Sequence, residues 1–411
     1  MDLLIRAGRN DHKLLAQLCA PAAAGLWAAR PVPMTGVVVD AHVAAERSLL
    51  RETADAAGLP FLVDPTTTLL TDEQVPGKGW AALPFATPTK LQPSDLSTER
   101  AQLDLIDRCL AFQRSQGATI LIPPYLYVDR RNSAWLDVNQ ALLEQTGRYL
   151  RREGIDLPVA PVFAASLHQF GPKAHWAAGL DRFLSATEDL NTRFVALSLS
   201  WSSPRKANYD AVALLAASTH HAADSRRLVS WRQGLYGAAL TGTGAAGYET
   251  GPGHAEAVHY PELAAGRRPP KKSVKKKTGG AEHNVFLAAF SRSVDIDVAR
   301  PLLEHHLLRG RLVCPDPGCC HDGATSMIES WREHAVRARH RHLVEIERMP
   351  TSPGWRLNKT ARDAEEAAIQ ARAANEVLTQ RRITWQFPEE TFRHLARVAD
   401  DLRGNLNRQA A

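Results

Sequence analysis

Apolar positions along this chain gather into short continuous runs, separated by stretches with helical spacing. GVVVDAH (36–42) and LPFLVDP (59–65) are two such runs; between them Val43 to Ala57 has helical character and Gly58 marks its stop. Strand, helix and strand within so short a stretch is the pattern of a βαβ unit. The rhythm continues with ATILIPPYLYVD (118–129), LPVAPVFAAS (157–166), RFVALSLSW (193–201) and RRLVSW (226–231), each preceded by a helical stretch. WAALPFA (80–86) reads as an edge or barrel piece, and GAALTGTGAAGYETGPGH (237–254) as a strand running into a glycine-rich loop. Residues 1–34 have a helical tendency broken by Pro21, Pro31 and Pro33. Continuous runs, rather than alternating ones, are what strands buried on both faces require. Roughly six to eight of them, interleaved with helices, predict an α/β protein with a (β/α)8 TIM-like barrel. No GxGxxG follows the first run, which weighs against a dinucleotide-binding sheet.

The organisation expected is a barrel over 1–310, a zinc-binding subdomain over 311–350, and C-terminal helices over 351–411 packing on the barrel. With 411 residues, 44% of them hydrophobic, the chain can bury a large core. No run reaches the roughly 18 apolar residues of a membrane span, and the first residues lack the apolar stretch of a signal peptide. A cytoplasmic protein is the expectation. The formal charge is +6, but RRPPKKSVKKK (267–277) carries seven positive charges and no acid; without those seven the charge becomes −1. Arg267, Arg268, Lys271, Lys272, Lys275, Lys276 and Lys277 therefore form a loop suited to nucleic-acid phosphates.

Three of the five cysteines, Cys314, Cys319 and Cys320, lie within RLVCPDPGCCHDG, followed by a helix carrying His334, His340 and His342. Thiolates on a tight Pro/Gly loop with an imidazole from a following helix suit tetrahedral zinc. In a barrel, catalytic groups project from the C-terminal strand ends. Asp40, His42, Asp64, Asp129, His168, Gln169, Ser200, Trp201, Trp231, Gln233, Tyr248 and Glu249 occupy such places. Carboxylates sharing one rim suit acid–base or nucleophilic chemistry, because burial and mutual repulsion drive their proton affinities apart.

Together these features resemble the tRNA-guanine transglycosylase superfamily, including the branch that inserts 7-deazaguanine bases into DNA. The separation of Cys314 and Cys319 is similar to that of the family's outer zinc cysteines, and His342-Leu343 resembles its His-Leu ending. Asp316 stands where the family has its middle cysteine. The resemblance implies structural zinc on Cys314, Cys319, Cys320 and His342, with Asp316 or His321 as alternative ligands. LPFLVDPTT resembles the strand ending in the family's general acid/base, which falls on Asp64. The family's nucleophilic aspartate has no clear counterpart, and Glu249 substitutes by position. GAALTGTGAAGYETG is loosely similar to the base-recognition loop, which implies substrate contacts at Gly244, Gly247 and Tyr248. Asp129, His168, Gln169, Trp201, Trp231 and Gln233 complete the expected substrate-binding set. The implied activity is replacement of guanine in DNA or tRNA by a 7-deazaguanine base through a covalent carboxylate intermediate. A partner protein or a homodimer belongs to the same expectation. Two other readings stand beside it: a non-catalytic nucleic-acid- or partner-binding barrel, and a barrel enzyme acting on a small molecule.

Overall fold

A computed structural model describes residues 1–20, 32–72, 78–167, 177–200, 208–253, 255–260, 283–350 and 352–410. The basic segment 267–277, His168, Gln169 and Trp201 lie outside the described residues. Seven parallel strands form one partly curled sheet: β1 (Asp2–Ala7), β2 (Gly36–Asp40), β3 (Phe61–Asp64), β4 (Val162–Ser166), β5 (Val195–Ser200), β6 (Leu228–Trp231) and β7 (Gly247–Thr250). Their order across the sheet is β3-β2-β1-β7-β6-β5-β4. Single parallel bridges lie beyond both edges, Leu62 to Ile120 on one side and Leu121 to Val159 on the other. Pro123 and Pro124 remove two amide donors from the 118–129 run, which is why it pairs only through isolated bridges.

The first strand corrects the helical expectation for residues 1–34. DLLIRA is an apolar run too short for periodicity to distinguish strand from helix, and it pairs with both β2 and β7. A helix, His12–Cys19, follows it. Two further corrections come from the same ambiguity. WAALPFA contributes a short helix, Lys78–Ala81, and no strand. GAAL belongs to the helix Leu235–Leu240, and the strand begins only at Gly247.

Alternation along the strands divides the core in two. Leu4, Val38, Leu62, Ala164, Ala196 and Val229 share one cluster on the inner face of the curl. Their neighbours, among them Leu3, Ile5, Val37, Val39 and Val63, pack outward against the helical layer. That outer layer includes Glu99–Ser115, whose start is fixed by the Thr98 hydroxyl accepting from Ala101 N at 3.3 Å, and Ala134–Arg152. After the sheet come an antiparallel hairpin of β8 (Asn284–Leu287) and β9 (Arg292–Asp295), and the helix Trp331–Glu347. Two long helices, Pro353–Gln380 and Glu389–Ala410, close the chain. One hydrophobic cluster runs without interruption from Leu197 and Leu215 through Leu302, Cys320 and Met327 to Leu378. No described helix is long and apolar enough to cross a membrane.

Gly247 opens β7 and Gly244 lies just before it, both at the N-terminal edge of the sheet. A Cβ on Gly247 would sit 2.0 Å from the Asp2 carbonyl oxygen, so glycine there permits the close approach of β7 to β1. Gly244 has φ +117°, the left-handed turn that feeds β7. Both therefore serve the backbone at the edge opposite the strand C-termini, which corrects their assignment to substrate. Gly247→Ala is expected to cost about 1–3 kcal/mol or more in a denaturant titration, as overpacking does; an unchanged midpoint would show that the β1–β7 contact gives way freely.

Candidate functional site

Parallel strands put all their C-terminal ends on one edge, and there the inner face turns from apolar to charged. Two residues beyond Leu4, Val38, Leu62 and Val229 on the same face stand Arg6, Asp40, Asp64 and Trp231. Register sets Asp40 beside Asp64, and Trp231 beside Glu249. The Arg6 guanidinium fans across three acids. Its Nε donates to Glu249 Oε1 at 2.5 Å, Nη2 to Asp64 Oδ2 at 2.8 Å, and Nη1 to Asp40 Oδ1. The Trp231 ring lies 5.3 Å from the Arg6 Cζ. Side-chain exposure is 3% for Arg6, 1% for Asp64 and 0% for Glu249 but 28% for Asp40, so Asp40 marks the side facing solvent.

The three carboxylates are held differently. Asp64 is saturated: Oδ1 accepts from Thr66 N at 2.9 Å and from the Tyr125 hydroxyl at 2.8 Å, and Oδ2 from Arg6. Glu249 is not, since its buried Oε2 has no hydrogen-bond partner among the described residues. Burial raises the proton affinity of Glu249 and outweighs the opposing charges of Arg6 and Arg232. For Asp40 the balance reverses: burial opposes ionisation, but Arg6, Arg232 and His42 hold its carboxyl below the ordinary range. Burial also opposes the charge on Arg6, yet the three acids keep the guanidinium firmly protonated. Carboxyl groups with diverging proton affinities in one site are what acid–base chemistry needs.

Of the other expected substrate residues, Gln233 is buried at the same edge, and among the described residues its amide reaches only the Trp231 carbonyl at 3.5 Å. Tyr248, adjacent to Glu249, points to the opposite face and packs in the outer layer beside Gly237. Strand alternation thus removes it from the inner site. Asp129 is exposed and pairs with its neighbour Arg130 at 3.8 Å.

A second centre lies in the knuckle after the hairpin. Cys314, Cys319, Cys320 and His334 place one ligand atom each within 4.8 Å of one another. His334 Nδ1 is 3.3 Å from Cys320 Sγ and 3.5 Å from Cys319 Sγ, and the two sulfurs are 3.7 Å apart. A tetrahedral zinc with its usual bond lengths has ligand–ligand edges of about 3.5–3.8 Å, so this donor set fits the ion. The other ring nitrogen of His334, Nε2, lies 2.9 Å from the Phe286 carbonyl. It can only donate there, which leaves the Nδ1 lone pair for a metal. Hydrogen bonds from Cys319 and Cys320, helped by Arg341, stabilise the Cys314 thiolate against burial and pull it far below the ordinary thiol range.

The histidine is His334, not the expected His342. Eight residues separate them, about 12 Å along a helix axis. His342 is instead half-buried near Asp363, Lys359 and the Ala238 backbone. Asp316 and His321 are also elsewhere. Asp316 Oδ1 accepts from Gly318 N at 2.8 Å and its carbonyl from the amides of Cys319 and Cys320, so it builds the turn. His321 is exposed and pairs with Asp322 at 2.7 Å.

Two expectations follow. Zinc of about one per chain is expected in the purified protein, lost in His334→Ala and kept in His342→Ala; elemental analysis showing the reverse would reassign the ligand. The second concerns pH. Because Glu249 binds its proton more tightly folded than unfolded, its contribution to stability is complete below the unfolded value and is lost as pH rises through the folded one. Glu249→Gln, which cannot ionise, should therefore gain stability relative to the parent as pH rises above the ordinary glutamate range. A stability difference independent of pH would mean that Glu249 titrates normally.

No family model matches the chain, and no curated protein does. Among solved structures, the carboxyl transferase domain of Rhizobium etli pyruvate carboxylase, solved with pyruvate and biocytin, is similar over 98% of this chain. The match has 11% identity, a TM-score of 0.34, and spans 61% of that longer chain, a likeness too slight to carry any functional argument.

Proposed function

We propose that the protein exchanges a nucleobase in DNA or tRNA, replacing guanine by a 7-deazaguanine base, with Asp64 and Glu249 as the working pair. The observation that carries this reading is the unpartnered Oε2 of Glu249, held beside an Asp64 that the same guanidinium grips. In the proposed reaction Glu249 Oε2 attacks C1′ of the nucleotide. The C1′–N bond breaks with its electron pair leaving on guanine, and guanine takes up a proton from water, with Asp64 placed to relay it. The incoming base then returns a proton to Asp64 and attacks C1′, and the glutamyl ester bond breaks. Arg6 holds both carboxylates at one distance throughout. The target base must leave its stack to reach an edge this enclosed, and the basic segment 267–277 would hold the phosphate backbone.

We infer as well that the ring closes. The bridges at Ile120 and Leu121 occupy the gap between β3 and the start of the β4 run, the place an eighth stave of a (β/α)8 barrel takes. Zinc on the Cys314, Cys319, Cys320 and His334 set would be structural, since protein fills all four positions.

The test is incorporation of a labelled 7-deazaguanine into DNA and into tRNA. Asp64→Asn and Glu249→Gln are each expected to reduce it by about a thousandfold or more with the fold intact by circular dichroism. The parent rate should fall on acidification at a pH above the ordinary glutamate range, because Glu249 must be ionised to attack. Full incorporation by either variant would remove that residue from the mechanism. A parent that retains salt-dependent nucleic-acid affinity without exchange would favour the binding protein. Turnover of a small molecule, unaffected by deleting 267–277, would favour the small-molecule enzyme.

A further inference from the structure

Next to the acid cluster stands a cation that no described residue engages by hydrogen bond or ion pair. Arg232 follows the last residue of β6, and its backbone has φ +53°, a conformation that L side chains rarely adopt. The strain is held from two sides. Val258 N donates to the Arg232 carbonyl at 2.9 Å, Gly234 N donates to the Glu256 carbonyl at 2.9 Å, and Gln233 bridges to Ala257. Glu256 is itself anchored, its carboxylate accepting from Ser293 N at 3.1 Å and from Arg339. So the fold clamps a residue into an unfavourable backbone state at the functional edge, and strain kept in this way is concentrated at ligand-binding positions.

The side chain collects no structural return for that strain. Among the described residues the Arg232 guanidinium makes no hydrogen bond and no ion pair, and its Nε is buried without a partner. Its charge nevertheless acts on Asp40, Glu249 and Tyr260, so it faces the inner site. Asp40, Asp64 and Glu249 are already gripped by Arg6. A half-buried guanidinium with free N–H donors, beside carboxylates committed elsewhere, is built to take an anion from outside, and its planar fork matches a phosphate.

We propose that Arg232 is a phosphate-binding residue, holding the phosphate of a nucleotide whose sugar carbon lies against Glu249. The proposal deepens the base-exchange reading but is tested by binding, without turnover. The phosphate could belong to a nucleic-acid strand or to a free nucleotide, and the probes separate these sources.

Calorimetric titration of the full chain with inorganic phosphate, guanosine 5′-monophosphate and a short single-stranded guanine-containing oligonucleotide is the experiment. Arg232→Met is expected to weaken the phosphate-bearing probe tenfold or more, with Arg232→Lys between it and the parent. Arg232→Gly, which adopts φ +53° freely, should weaken binding as much as Arg232→Met does. Affinity for the oligonucleotide alone identifies a strand phosphodiester; equal affinity for the mononucleotide identifies a free phosphomonoester. The proposal is overturned if the parent binds none of the three or if Arg232→Met binds as the parent does. Arg232-dependent binding in a protein that exchanges no base would sink the base-exchange reading and leave this one standing.

Discussion

Taking a carboxylate out of water costs several kcal/mol even after the protein relaxes around it, and this sheet takes in three at one edge. Arg6 is what makes that arrangement tolerable, because a single planar guanidinium reaches Asp40, Asp64 and Glu249 from three nitrogens. The demand on the fold is geometric. The ends of four other strands must converge on one side chain, which an open flat sheet does not allow and a curled one does. Removing Arg6 would leave like charges facing one another in a dry interior, so the curl and the guanidinium depend on each other.

The same interaction explains why the acids differ. Arg6 offers each of them a hydrogen bond, so their divergence comes from what else surrounds them. Asp64 has a backbone amide and a phenol, Asp40 has solvent on one side and His42 near, and Glu249 has an oxygen with nothing. Burial then decides the sign for Glu249, and neighbouring cations decide it for Asp40. One cation shared among three unequal environments is enough to make three chemically distinct carboxyl groups.

Much of this was legible in the sequence, for a physical reason. Parallel strands covered on both faces must be apolar throughout, so GVVVD, FLVD and VALSLS announce themselves, and Asp64 and Glu249 stand out as acids ending or interrupting such runs. Arg6 was equally visible in DLLIRA as a charge within an apolar run, a signal of burial with a partner. A run of six residues does not separate strand from helix by periodicity, so the face that Arg6 occupies was not legible. β7 was masked by glycines that serve its close contact with β1 rather than a ligand. In the knuckle the three cysteines were readable from spacing. The histidine was not, because three lie on one helix and only packing against Phe286 selects His334. Arg232 carried no sequence signal at all; its interest lies in a backbone angle.

The hairpin beside the knuckle does more than support His334. Arg339, on the same helix, lies over the Phe286 ring and reaches Glu256, which fastens the stretch crossing the sheet's mouth. An expression boundary drawn at residue 310, where the sequence suggests a clean division, would keep every strand of the main sheet and discard that fastening. The cysteine-bearing end of the chain is therefore tied to the sheet through Arg339 and Glu256, and a fragment that keeps this tie must extend through the helix that carries Arg339.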